Sequence, residues 1–230
     1  MKKSIPLFLA ALLLMPVTGW AADKPLLAIV GKMIYENKLD TPLAAPWKVA
    51  KGKWEIADGV WRAAELPEDK HPAVARMPDK FSDFVVEYEF KFDGAKLTTL
   101  SINGPKGHMA RIMIAPNLVT VQKDSSSHGA TDKAVVFAHL PAQFAVGTWH
   151  KVRMEMVGDT MVGQVDNLTA WGHDDSFKAE RTVGLTVGGQ SVEFRNFKIS
   201  EATLNPAWSA VQTEISAEQQ QASGSAAPHP

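Results

Sequence analysis

The chain has 230 residues, with 24 Lys and Arg against 25 Asp and Glu, a formal charge of −1 and no Cys. Without Cys there are no disulfides, no thiolate chemistry and no lipoprotein anchor, so an apolar core must hold the fold together. The balanced charge leaves no footprint for nucleic acid or an anionic membrane and suits a neutral ligand such as a glycan.

The first element reads as a leader. Lys2 and Lys3 precede an apolar run over residues 5–17, and Gly19 and Ala21 stand at −3 and −1 of a cut after Ala21. The expectation is a signal peptide over 1–21, a mature chain from Ala22, and export to the periplasm or beyond. The run is shorter than the roughly 20 residues a bilayer requires. No later run is longer, so no membrane span is expected.

From Trp47 to Ser200 the apolar residues recur with period two. Phe84, Val86, Tyr88, Phe90 and Phe92 share one face, and Glu87, Glu89 and Lys91 the other, as on a half-buried strand. In 149–157, Val152, Met154 and Met156 face one way, and Lys151, Arg153 and Glu155 the other. Gly158-Asp159 and Asp166-Asn167 read as turns between short strands. Val192 and Phe194 keep one parity while Phe197 and Ile199 take the other, so a β-bulge near Arg195-Asn196 is expected to restore a single buried face. Many short strands parted by Gly, Asp, Asn and Pro, with no long helix among them, predict an all-β antiparallel sandwich or jelly roll over 22–202.

Pro116-Asn117 fits the centre of a tight hairpin. That register pairs Ile114 with Val119 and Ile112 with Val121 on the core side. On the other side it pairs Met113 with Thr120, Arg111 with Gln122, and Met109 with Asp124. Arg111, Gln122 and Asp124 offer the mixed donors and acceptors that a polyhydroxyl ligand needs. His108 and His128 would close the rim of this expected ligand surface, beside Ser125, Ser126 and Ser127. Composition alone also fits a solvated loop.

Other chemistry is thinly represented. Glu87 and Glu89 share a strand face at about 7 Å, but outward acids on strands are common. Asp174-Asp175 reads as a turn. His150 keeps phase with Val152 and reads as a buried histidine. Trp47, Trp54 and Trp61 read as core or hairpin residues. No cofactor is expected. Asp93 and Asp132 leave Ca²⁺ open, although no EF-hand loop is present.

After Ser200, Asn205 offers an N-cap and Pro206 a first helical position. Trp208, Val211 and Ile215 make one apolar stripe. A short helix at most, followed by a disordered polar tail, is expected over 203–230.

The segments WKVAKGKWEIADGVWRAAE, FSDFVVEYEFKF, VGTWHKVRMEMVGDTMVGQVDN and SVEFRNFKI occur in that order. The series resembles the concanavalin A-like, laminin-G-like domain family of 3-keto-disaccharide hydrolases, with Trp149 and Phe194-Arg195-Asn196-Phe197 matching best. The resemblance implies the sandwich fold and a glycan-related ligand. It departs where the family's N-S-G-I stretch is replaced by residues 98–103, and where its Y-E-x-Q-x-x-D strand is replaced by residues 108–114. That marks a divergent subgroup and carries over no catalytic residue. Three functions remain open: carbohydrate binding by a monomer, glycoside hydrolysis on 3-keto or related disaccharides, and a structural or adhesion role.

Overall fold

The computed structural model describes residues 24–41, 45–105, 107–125 and 132–225. The expected signal peptide, Ser126, Ser127, His128 and the last five residues lie outside the described residues. In chain order the strands are β1 (Ala28–Asn37), β2 (Lys48–Lys51), β3 (Lys53–Ala57), β4 (Val60–Ala64), β5 (Ala73–Phe81), β6 (Phe84–Gly104) and β7 (Gly107–Ala115). There follow β8 (Leu118–Lys123), β9 (Val135–Pro141), β10 (Trp149–Val157), β11 (Thr160–Val165), β12 (Leu168–His173) and β13 (Arg181–Leu204), then helix α1 (Trp208–Ser225).

Two long strands, β6 and β13, run antiparallel through both layers of a jelly-roll sandwich. Their outer halves, Phe84–Phe92 against Val192–Glu201, form the centre of a first layer with β10, β11 and β12 on one side and β4, β3 and β1 on the other. Their inner halves, Leu97–Asn103 against Thr182–Gly188, form the centre of a second layer flanked by β7, β8 and β9 and by β5 and β2. Both strands change layer at irregular register around Gly94 and Gly189, whose φ values of 88° and 93° suit glycine.

The five inward residues of β6 are all buried, as period two predicts, and they join one core with Val152, Met154 and Met156 of β10. The register slips between Arg195 and Lys198 with Asn196 at φ 55°, which turns both Phe194 and Phe197 inward as expected. Trp47 and Trp61 are buried in the same core, edge to face at 5.2 Å. The layers touch where Gly163 of β11 meets Ile112 and Val121.

Glu155 keeps the face opposite Val152, Met154 and Met156, as alternation predicts, but the start of β1 covers that face: Glu155 is fully buried and accepts a 2.7 Å hydrogen bond from the Ala28 amide. One expectation changes. The C-terminal helix is not short. Asn205 caps it by accepting from the Ala207 amide at 2.9 Å, and the helix then continues to Ser225. Its order does not rest on the apolar stripe alone, although Val211 and Ile215 are buried. Gln219 donates to the Phe137 carbonyl at 2.6 Å and accepts from the Trp171 amide at 3.1 Å, so one side chain satisfies the open edges of β9 and β12. Trp171 Nε1 donates to Ser216 at 2.8 Å. Among the described residues, no helix is long and apolar enough to cross a membrane.

Candidate functional site

The polar face lies on the outside of the second layer. Its centre is a row crossing five strands, in which Arg76 pairs with Gly184, Gly184 with Ser101, Ser101 with Arg111, and Arg111 with Gln122. Strand alternation puts Thr99, Ser101 and Asn103 of β6 on this face, because Leu100 and Ile102 fill the core. A depression of about 200 Å³ opens over the row, with Ser101 and Thr99 on its floor and His71, Arg76, His108 and Arg111 around it. Gly184 leaves the floor open. A Cβ there would meet nothing closer than 3.4 Å.

The expected hairpin register holds at every pair from Arg111–Gln122 to Ile114–Val119, and the Asp124 amide donates to the Met109 carbonyl at 2.8 Å. Arg111, Gln122 and Asp124 do come together. Asp124, however, is buried and serves the other two: it accepts from Arg111 Nε at 2.6 Å and from Gln122 Nε2 at 2.7 Å. Only Arg111 of the three lines the depression. Among the described residues its terminal nitrogens have no partner.

His108 stands at the rim, where its Nδ1 lies 2.8 Å from Asn103 Oδ1. With that oxygen accepting, Nδ1 carries the proton and Nε2 keeps its lone pair. Withdrawal from solvent, then the charge of Arg111, pushes the imidazole below its ordinary 6.5, so it is neutral at pH 7.

The remaining candidates fall elsewhere. Glu87 and Glu89 sit in the first layer, where Glu87 pairs with Arg153 at 3.1 Å and Glu89 with Arg195 Nε at 2.6 Å. His150 is buried, with Nδ1 2.8 Å from Asp166 and Nε2 unpartnered. Asp174 accepts from the Ser176 amide in a turn, Asp93 accepts from Ser191, and Asp132 pairs with Lys123. Among the described residues, no three His, Asp or Glu side chains converge as a metal site.

Sequence reasoning missed Arg76, Thr99, Ser101, Asn103 and Thr186. The signal for the β6 residues was present: Thr99, Ser101 and Asn103 alternate with Leu100 and Ile102. Arg76 carries no such mark, because only the pairing of β5 with β13 brings it alongside.

The fold and its polar face define an antiparallel jelly-roll domain with an open depression on its second layer. The chain belongs to the family of the 3-keto-alpha-glucoside-1,2-lyase-like domain, whose model matches residues 39–200. Carbohydrate-binding module CBM66 from Bacillus subtilis is similar at 18% identity and TM-score 0.54, over 67% of this chain and 95% of that one. A protein of unknown function with a galectin-like fold, also from Bacillus subtilis, is similar at 12% identity and TM-score 0.59, over 77% of this chain and 100% of that one. SCLam, a non-specific endo-β-1,3(4)-glucanase of family GH16, is similar at 12% identity and TM-score 0.58, over 77% of this chain and 96% of that one. Such likenesses speak to the fold. Among curated proteins, none matches the sequence.

Proposed function

We propose that this chain is an exported carbohydrate-binding domain whose ligand lies over Ser101 and Gly184. The observation that carries the reading is the row Arg76–Gly184–Ser101–Arg111. Guanidinium donors stand on both sides of a hydroxyl floor, Arg111 held by Asp124 and Arg76 exposed, and Gly184 puts no side chain of its own on that floor. A ligand rich in hydroxyls needs such a mixture of donors and acceptors on a preformed surface. Membership of a glucoside-directed family supports a saccharide, as does a fold shared with a carbohydrate-binding module. Export rests on the leader over 1–21, and the intact mass of exported protein tests cleavage after Ala21.

One observation favours a second reading, that of a lyase. His108 is held neutral with Nε2 free at the rim of the depression. On a 3-keto-glucoside, Nε2 would take the C2 proton beside the ketone, the C1–O bond would break, and C1=C2 would form as the leaving alkoxide takes a proton from solvent. Arg111 would stabilise the negative charge developing on the ketone oxygen. Hydrolysis by a carboxylate pair has less support, because no such pair lines the depression among the described residues.

A glycan array run beside turnover assays on 3-keto-glucosides tests both readings. Binding without turnover supports the first. Turnover that His108→Gln abolishes, with binding retained, supports the second. No binding and no turnover would overturn both.

A further inference from the structure

The depression is the middle of a longer groove. Toward the bends at Gly94 and Gly189 it shares His71 and Pro72 with a wider hollow of about 770 Å³ that includes Glu65, Lys70, Lys96 and Gln190. At the opposite end it shares His108 with a hollow of about 210 Å³ that includes Pro105, Met109 and Ser176. From Lys96 to Gly104 the groove follows β6 for roughly 26 Å at about 3.3 Å per residue. That is the length of a chain of several sugar rings, not of one.

The charge along this groove differs from that of the molecule. Lys70, Arg76, Lys96 and Arg111 line it, and among the described residues Glu65 is the one carboxylate in its wall. Lys70, Arg76 and Lys96 have no acidic partner among the described residues. Arg111 shares its charge with Asp124 beneath it, and on the outer face of the first layer every such arginine is paired, as Arg62 is with Glu193, Arg153 with Glu87 and Arg195 with Glu89. A chain with a formal charge of −1 therefore gathers three cations without an acidic partner among the described residues, Lys70, Arg76 and Lys96, along one groove.

We infer that the groove takes an extended oligosaccharide bearing carboxylates, a uronate chain, in preference to a neutral glycan. The inference rests on the carbohydrate reading above and adds the ligand's charge and length. Carboxylates repeated along a sugar chain would meet Lys96 and Lys70 in the wide hollow and the two arginines over the floor. Guanidinium groups bind carboxylates through charge-assisted, directional hydrogen bonds.

Calorimetric titration tests this with hexamers of galacturonate and mannuronate, the same hexamers after carboxyl reduction, and a short single-stranded DNA. One uronate hexamer is expected to bind at least about tenfold more tightly than its reduced form. Its affinity should fall as salt rises from about 50 to about 500 mM. The double variant Lys70→Gln/Lys96→Gln should lose about tenfold in uronate affinity, with its unfolding midpoint unchanged because both lysines are exposed. Equal affinity for the reduced hexamers would overturn the charge inference and leave the carbohydrate reading standing. DNA binding as tight as uronate binding would overturn it in favour of a general polyanion surface. Failure of every hexamer, together with a blank glycan array, would overturn both.

Discussion

Arg111 Nε donates to the buried Asp124 carboxylate at 2.6 Å, so the arginine that lines the depression is also the main partner of a carboxylate beneath it. This couples ligand contact to stability. Arg111→Ala removes a ligand donor and leaves Asp124 with Gln122 as its remaining side-chain donor. The expected cost is about 1–3 kcal/mol in unfolding free energy, together with weaker binding. A double-mutant cycle with Asp124→Asn checks it: the second substitution should cost less in the Arg111→Ala background than in wild type. Additive effects would show that the pair is not coupled.

His108 carries a pH dependence of definite sign. The folded state holds its pKa below 6.5, whereas the unfolded chain takes up the proton nearer that value. Below about 6.5 the unfolded state therefore binds more protons, and stability falls as pH drops through that value, with no contribution from His108 above it. NMR titration should give a midpoint below 6.5, and Arg111→Ala should raise it by removing a neighbouring positive charge. A midpoint at or above 6.5 in the wild type would contradict the lowering by burial and by Arg111.

The helix that closes the sheet edges offers a separate test. In Gln219→Ala the Phe137 carbonyl and the Trp171 amide lose their partner, which should cost about 1–2 kcal/mol. Hydrogen exchange should quicken at the Trp171 amide while the β6 amides keep their protection. Unchanged exchange at Trp171 would mean that α1 does not cap the edge.

Gly172→Ala should destabilise by overpacking. A Cβ there would stand 2.2 Å from the root of the Phe137 ring, which packs edge-on to Phe177 at 6.3 Å and cannot swing away freely. The expected loss is about 1–3 kcal/mol, read by denaturant titration.

These tests bear on parts of the molecule that were unequally legible in the sequence. Strand alternation in Phe84–Phe92 and the parity change around Arg195-Asn196 announced the sandwich and its bulge, because period two is a local property. The Pro116-Asn117 turn fixed the Arg111–Gln122 pairing for the same reason. The groove's charge was hidden. Lys70, Arg76, Lys96 and Arg111 come from three strands and a loop, so a formal charge of −1 pointed to a neutral ligand where the fold collects cations. The role of Asp124 was also reversed, since burial depends on what packs over a side chain and not on its parity. The length of α1 was missed because Gln219 is polar, and its value lies in backbone groups more than forty residues away.

The most direct measurement is saccharide binding by the Gly184→Phe variant. Position 184 sits on the floor of the depression with room for a Cβ, so the ring would fill the ligand's space while the sheet pairing stays intact. The expected result, against the best glycan from an array, is loss of binding by at least about tenfold with the unfolding midpoint held near wild type. Wild-type affinity in a folded Gly184→Phe protein would contradict a carbohydrate site on this face and move it elsewhere on the molecule.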